Sequence, residues 1–219
     1  DSLIDISYLE RAYNYGLRAL GLSHFGAGRY ALGHDCSGPL SEPGKELLKE
    51  LSKFNIILDI THLSEPSFWQ VIDTFDGPIW ASHHNCRTLV NNPRQLSDEQ
   101  IQALIQRGAV IGSAFDAWML SPDWVRGKST PENTNVRISN VVDHIDHVCQ
   151  IAGNSKHSGI GTDLDGGFGT EQSPSDLNSI ADISSIATIL LDRGYSESDV
   201  KSIMHGNFVR FAIESLPSQ

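Results

Sequence analysis

Short apolar runs, rich in branched residues or glycine, alternate along the chain with stretches of amphipathic helical period. The runs fall at 18–24 (RALGLSH), 55–62 (NIILDITH), 77–83 (GPIWASH), 108–116 (GAVIGSAFD) and 157–163 (HSGIGTD), and each reads as a strand. Periodicity predicts helices near 5–15, 43–53, 65–75, 97–107, 138–153, 176–193 and 196–213. End signals agree. In LSDEQIQALIQRG, Ser97 is the N-cap, Asp98 and Glu99 fill the first turn, and Gly108 follows the end. Ser64 caps the helix at 65–75, with Pro66 in its first turn. Near-continuous apolar strands alternating with helices mean an α/β fold with a parallel sheet covered by helices. Residues 121–137 and 164–176 read as loops. Without linker, repeat or low-complexity segment, residues 1–219 are expected to form one domain.

The strand runs end on His24, His62, His83, Asp116 and Asp163. In a parallel sheet with helical crossovers, all strand C-termini lie on one side. A barrel gathers its catalytic residues there, whereas an open sheet binds mainly at one crevice. Polar ends on every strand favour a barrel, of which five strands are three short of eight. Neutral imidazoles and carboxylates suit a zinc ion, which lowers the pKa of a bound water and polarises a carbonyl. His62 and His83 end sequential strands, which are usually neighbours. Either could instead cap its strand by hydrogen bonding, and Asp163 could be a turn residue.

Adjacent side chains of a strand point to opposite faces, so His83 and His84 cannot both face one site. Compact Ile79 and Ala81 share the parity of His83, whereas bulky Trp80 shares that of His84, so His83 is expected to point inward. In VVDHIDHV (141–148), Val141, Val142, Ile145 and Val148 form the apolar stripe. Asp143, His144, Asp146 and His147 are then expected on the solvated side. His157 opens a strand, where polar residues concern stability. GTDLDGGFG lacks the GxGxxG spacing, and its carboxylates would repel phosphate.

Composition narrows the partners. A net charge of −11 argues against nucleic acid or an anionic membrane surface. Three scattered cysteines give neither a disulfide framework nor a cysteine-type zinc site, and they favour a reducing, cytoplasmic compartment. No apolar run approaches the roughly 18 residues of a membrane span, and no signal peptide opens the sequence given. Nine histidines is the unusual count.

Five segments in order resemble the renal (membrane) dipeptidase family of zinc peptidases. They are LERAYNYGLRALGLSH (9–24), LDITHLS (58–64), IWASHHNCRTLVNNPRQLSDEQI (79–101), VVDHIDHV and GIGTDLDGG. The resemblance implies a (β/α)8 TIM barrel with a two-zinc centre, of which this chain would be the last five βα units. It implies zinc ligation by His62 and His83. It implies oxyanion stabilisation and substrate binding by His24, carboxylate binding by Arg94, and proton transfer beside the substrate by Asp163. The family's remaining ligands, a His-x-Asp pair and a bridging glutamate, would precede Asp1, so the chain is expected to be a C-terminal portion. The activity implied is hydrolysis of a dipeptide, with a homodimer as an open expectation. The rivals are a non-catalytic barrel remnant serving as a binding or scaffold module, and a metal-dependent hydrolase of other amides or esters.

Overall fold

The structure, a computed structural model, describes residues 3–217. The chain divides into two compact units. The first takes in the chain up to Ala81, with Arg107–Ala109 and the chain from Phe211 on; the second holds Ser82–Gln106 and Val110–Arg210.

In the first unit, β1 (Ala19–Gly21), β2 (Ile57–Asp59) and β3 (Ile79–Trp80) form a parallel sheet in the order β1-β2-β3. A short 3-10 turn at Ile6–Tyr8 leads into α1 (Leu9–Asn14) before β1. Helix α2 (Glu42–Phe54) joins β1 to β2. Ser41 caps it by accepting the Gly44 N–H, Pro43 sits in its first turn, and Asn55 ends it in the left-handed region. Its Leu47, Leu48 and Leu51 are buried, as are Ile57 and Leu58 of the strand that follows. Helix α3 (Glu65–Thr74) joins β2 to β3, capped by Ser64 and buried through Phe68 and Val71. Ile79 and Ala81 are fully buried and Trp80 is half-buried, in keeping with the expected parity.

The second unit holds the parallel pair β4 (Ile111–Ser113) and β5 (Ser158–Ile160), with α4 (Asp98–Gln106) and α5 (Ile138–Ala152). Its core gathers Phe115, Val141, Val142, Ile145, Ile186, Leu190 and Ile203. Helices α6 (Ser185–Asp192) and α7 (Glu197–Lys201) precede a π turn at Ser202–Gly206, which leads into α8 (Asn207–Ser215).

All five expected strands are present, each shorter than its apolar run, because pairing stops before the polar end residue. The helix expected over 176–193 begins late. The Asp176 carboxylate accepts the Ile138 N–H at the start of α5 (2.8 Å), which holds that residue outside a helix. A 3-10 turn at Ile180–Ser184, capped by Ser179 and Asp182, then starts the helical stretch. A larger difference concerns His144. It is 1% exposed rather than solvated, and its Nδ1 accepts the Cys86 N–H at 3.0 Å. Positions 141, 144 and 148 are three and four apart and share one helix face, so His144 belongs to the apolar stripe. Asp143, Asp146 and His147 do lie toward solvent, paired with Arg193, Tyr195 and Asp98 respectively.

Candidate functional site

In the first unit, three imidazoles meet past the ends of β1 and β2. The rings of His24 and His62 lie 4.3 Å apart between centroids, and those of His34 and His62 5.1 Å, with Phe25 packed beside them. Nδ1 of His62 is 3.1 Å from Nδ1 of His34. Local sequence explains the arrangement. The loop after His24 doubles back, pairing Ala27 with Leu32. Gly33 then bridges Leu63, and the Ser64 N–H donates to Leu32 O at 2.9 Å. Gly33 must be glycine, because a Cβ there would run into the carbonyl oxygens of His24 and Phe25. The loop therefore lies against both strand ends and carries His34 to His62.

His62 is 6% exposed and has φ 70°. A non-glycine residue in the left-handed region is uncommon and holds strain of about 1–3 kcal/mol, a cost concentrated at functional sites. His24 is exposed and lines a cavity of about 380 Å³ with Leu22, Ser23, Gly26 and Tyr30.

In the second unit, Gly112 and Gly161 leave room for the Ser82 carbonyl, which an added Cβ at either position would strike. The His84 N–H donates to Gly112 O at 2.7 Å, and Asn85 exchanges two hydrogen bonds with Ala114 at 3.0 and 3.1 Å. This fixes His83, whose Nδ1 lies 2.8 Å from Ser82 Oγ and whose Nε2 lies 3.9 Å from Asp163 Oδ1. Asp163 stands just past β5 with φ 57°, a second strained residue at a strand end. Arg94 is 2% exposed. Its Nη2 donates to His83 O at 2.9 Å, and its Nη1 lies 3.0 Å from Nδ1 of the buried His84.

Asp116, past β4, is 7% exposed. Its Oδ2 accepts the Trp118 indole N–H (2.6 Å) and a Gln172 amide N–H (3.0 Å), while Oδ1 is buried without a hydrogen-bond partner. Burial, helped by the charge of Asp163, pushes its carboxyl up to about 6 despite those two donors.

The structure thus brings His24 together with His62, and His83 together with Arg94 and Asp163. His34 was not foreseen from sequence. It ends no strand and lies in a loop 28 residues from His62, so no periodic signal marks it; the adjacent Gly33 was the available hint. Among the described residues, no group of three His, Cys, Asp or Glu side chains could by itself hold a metal ion. The donor chemistry still fits zinc. Imidazole is a donor type that zinc takes, and His62 is a buried imidazole whose Nδ1 lies beside a second ring.

The family model for membrane dipeptidase (peptidase family M19) matches residues 1–215. A Klebsiella pneumoniae protein described as an uncharacterized protein in the pqqA 5′ region is 29% identical over 210 residues, covering 92% of this chain and 73% of that one. The dipeptidase tcpJ of Claviceps purpurea is 29% identical over 211 residues, covering 93% of this chain and 46% of the other. Among solved structures, a metallopeptidase from Rhodobacter sphaeroides, liganded with a phosphinate mimic of the dipeptide L-Ala-D-Ala, matches with a TM-score of 0.82 at 24% identity. That match covers 94% of this chain and 58% of the other, and shows a shared α/β fold. The chain therefore spans about half the length of the fungal dipeptidase and under two thirds of the Rhodobacter chain.

Proposed function

The chain belongs to the membrane dipeptidase family, peptidase family M19, and from that premise we propose that it carries strand-end residues of a zinc-dependent dipeptide hydrolase. The fold that goes with this reading is a partial (β/α)8 barrel, the last five βα units. Parallel pairing within each unit's sheet, of three strands in the first and two in the second, with a helix between successive strands of the chain, supports it. The observation that carries the functional reading is that a histidine or aspartate follows each strand: His24, His62, His83, Asp116 and Asp163.

His62 and His83 are the zinc ligands in this reading. Zinc, when bound, supplies a polarised carbonyl and a water of lowered pKa. The other roles belong to this chain's side chains. His24, exposed beside its cavity, offers a ring N–H to the oxygen that gains charge as the amide carbon becomes tetrahedral. Arg94 takes the substrate's terminal carboxylate, a task suited to a guanidinium fork and helped by its fixed position against His83 O. Asp163, close to His83, carries the proton to the leaving amine.

Zinc content and turnover test this. The chain is loaded with zinc and offered a dipeptide panel including L-Ala-D-Ala, whose mimic the Rhodobacter relative binds, with ester and phosphoester controls. Release of amino acids from dipeptides alone, and loss of bound zinc in a His62→Ala/His83→Ala double variant, are expected. Full zinc retention by that variant overturns the ligand assignment. Hydrolysis of esters in preference to dipeptides overturns the substrate class.

A further inference from the structure

We propose that Asp116 is a positioning residue, one oxygen of which ties together the two loops that follow β4 and β5. The inference rests on the reading of Asp163, at the head of the second loop, as a residue beside the substrate. All the groups concerned lie within the second unit. It begins from Oδ2 of Asp116, which accepts the Trp118 indole N–H at 2.6 Å and a side-chain amide N–H of Gln172 at 3.0 Å. The Arg126 guanidinium lies over the Trp118 ring, 5.3 Å from its centroid. Through these contacts a single oxygen joins the end of β4, the loop at 121–137 and the loop at 164–173.

The second loop depends on this tie. It holds Gly166, Gly167 and Gly169, the residue type that loses most backbone freedom when fixed. Among the described residues, every other hydrogen bond made by residues 164–173 ends within 162–173. The Gly166 N–H donates to Asp163 O at 2.8 Å, the Gly169 N–H to Glu171 Oε1 at 2.9 Å, and the Gln172 backbone N–H to Gly169 O at 3.1 Å. These bonds shape the loop without attaching it. Leu164 packs at the edge of the core. Beyond Leu164, the bond from Gln172 to Asp116 is what fastens the loop to the end of β4.

The chemistry of Asp116 suits a tether. Hydrogen bonds to an ionised carboxylate are roughly twice as strong as those between neutral groups. Oδ1 is buried and accepts no hydrogen bond, so the bonding of this carboxylate is given wholly to Oδ2. A buried carboxylate with one oxygen unpaired works against stability, and burial pushes it up to about 6. A group that weakens the fold yet stands where two loops meet, close enough to Asp163 to feel its charge, is accounted for by what it holds in place.

Hydrogen–deuterium exchange of the full chain tests the tie, and dipeptide kinetics tests what it positions. Gln172→Ala leaves Asp116 in place and is expected to speed exchange in residues 164–173 about tenfold, with α5 unchanged. Asp116→Ala should speed exchange in both loops. Asp116→Asn keeps an oxygen that accepts both donors, and should exchange like wild type. Wild-type rates in Gln172→Ala overturn the proposal. So does Asp116→Asn exchanging as fast as Asp116→Ala, or a speeding that extends equally to α5. In the zinc-loaded chain, KM for dipeptides is expected to rise severalfold in Gln172→Ala with a smaller change in kcat, and a fall in kcat at unchanged KM overturns the positioning role. If the wild-type chain turns over no dipeptide, the reading of the site fails instead. The exchange rates then still decide whether Asp116 holds the loops.

Discussion

His62 and His144 are both nearly sealed from water, at 6% and 1% exposure, yet they are held in opposite ways. His144 lies in regular helix α5 within the second unit, among Val141, Ile145 and Val148. Its Nδ1 accepts a backbone N–H, and burial pushes its pKa down to about 3, so it stays neutral at any ordinary pH. His62, in the first unit, sits in a left-handed backbone with other imidazoles around it. Burial alone does not separate a structural histidine from one available for chemistry. The partner and the backbone do: His144 sits in regular helix and serves a backbone amide, whereas His62 sits at a strained position against other imidazole rings.

The largest test of this contrast is stability. His144→Ala leaves the Cys86 N–H unsatisfied and opens a cavity, so it should cost about 2–4 kcal/mol in denaturant unfolding. His62→Asn places at φ 70° a residue that tolerates the left-handed region, and should stay within about 1 kcal/mol of wild type while losing zinc. Equal costs at the two positions would erase the distinction.

The pH dependence follows from the same histidine. The pKa of His144 is lower folded than unfolded, so the unfolded chain binds more protons between about 3 and 6.5. Its contribution is complete above pH 6.5 and is lost as the pH falls below it, at up to about 1.4 kcal/mol per pH unit. In a His144→Leu variant this acid slope should flatten. Parallel stability curves for variant and wild type between pH 6.5 and 5 would show that His144 titrates normally.

Which of these features sequence could reveal depends on the range of the interaction that makes them. Strands β1 to β5 and the caps Ser64 and Ser97 were legible because alternation, periodicity and capping act within a few residues. The strand-end residues were legible too, since an apolar run that stops on His62 or Asp163 announces a change of environment. That both carry positive φ was not, because the strain comes from tertiary context. The burial of His144 was available from its spacing to Val141 and Val148, but its polarity pointed the other way. Only the backbone N–H of Cys86, 58 residues distant, explains why an imidazole is tolerated there. His34 depends on a loop closed by Gly33 and Leu63, and the late start of the helical stretch after Asp176 depends on a carboxylate serving another helix. Contacts of that range leave no local pattern.

Within the second unit, Asp116 and Asp98 extend the contrast to carboxylates. Asp116 is raised to about 6, because burial and the nearby Asp163 outweigh its two donors. The folded state then binds the proton more tightly than the unfolded state, so the destabilisation grows as pH rises from about 4 through 6 and is complete above. Asp116→Asn should therefore stabilise the unit by about 1–2 kcal/mol at pH 7.5, and by much less at pH 4. An equal gain at both values would mean that the effect is packing and not charge.

The smallest effect should come from His147, three residues along the same helix as His144. Its Nε2 lies 2.8 Å from Asp98 Oδ1, but the two side chains are 21% and 40% exposed. Burial tends to raise the Asp98 carboxyl, and the hydrogen bonds from His147 and Thr88 outweigh it, so the net shift is downward. That contribution is present above the unfolded carboxylate range and is lost as pH falls through the folded value. Solvent screens the pair, so His147→Ala should cost less than about 1 kcal/mol at pH 7. Set beside the loss expected for His144→Ala, it makes one helix carry two histidines whose deletion differs severalfold. The difference follows from what each ring touches: a buried amide with no alternative partner, or a surface carboxylate that water can serve as well. A His147→Ala cost as large as that of His144→Ala would mean that the helix as a whole, and not the buried amide, sets the price.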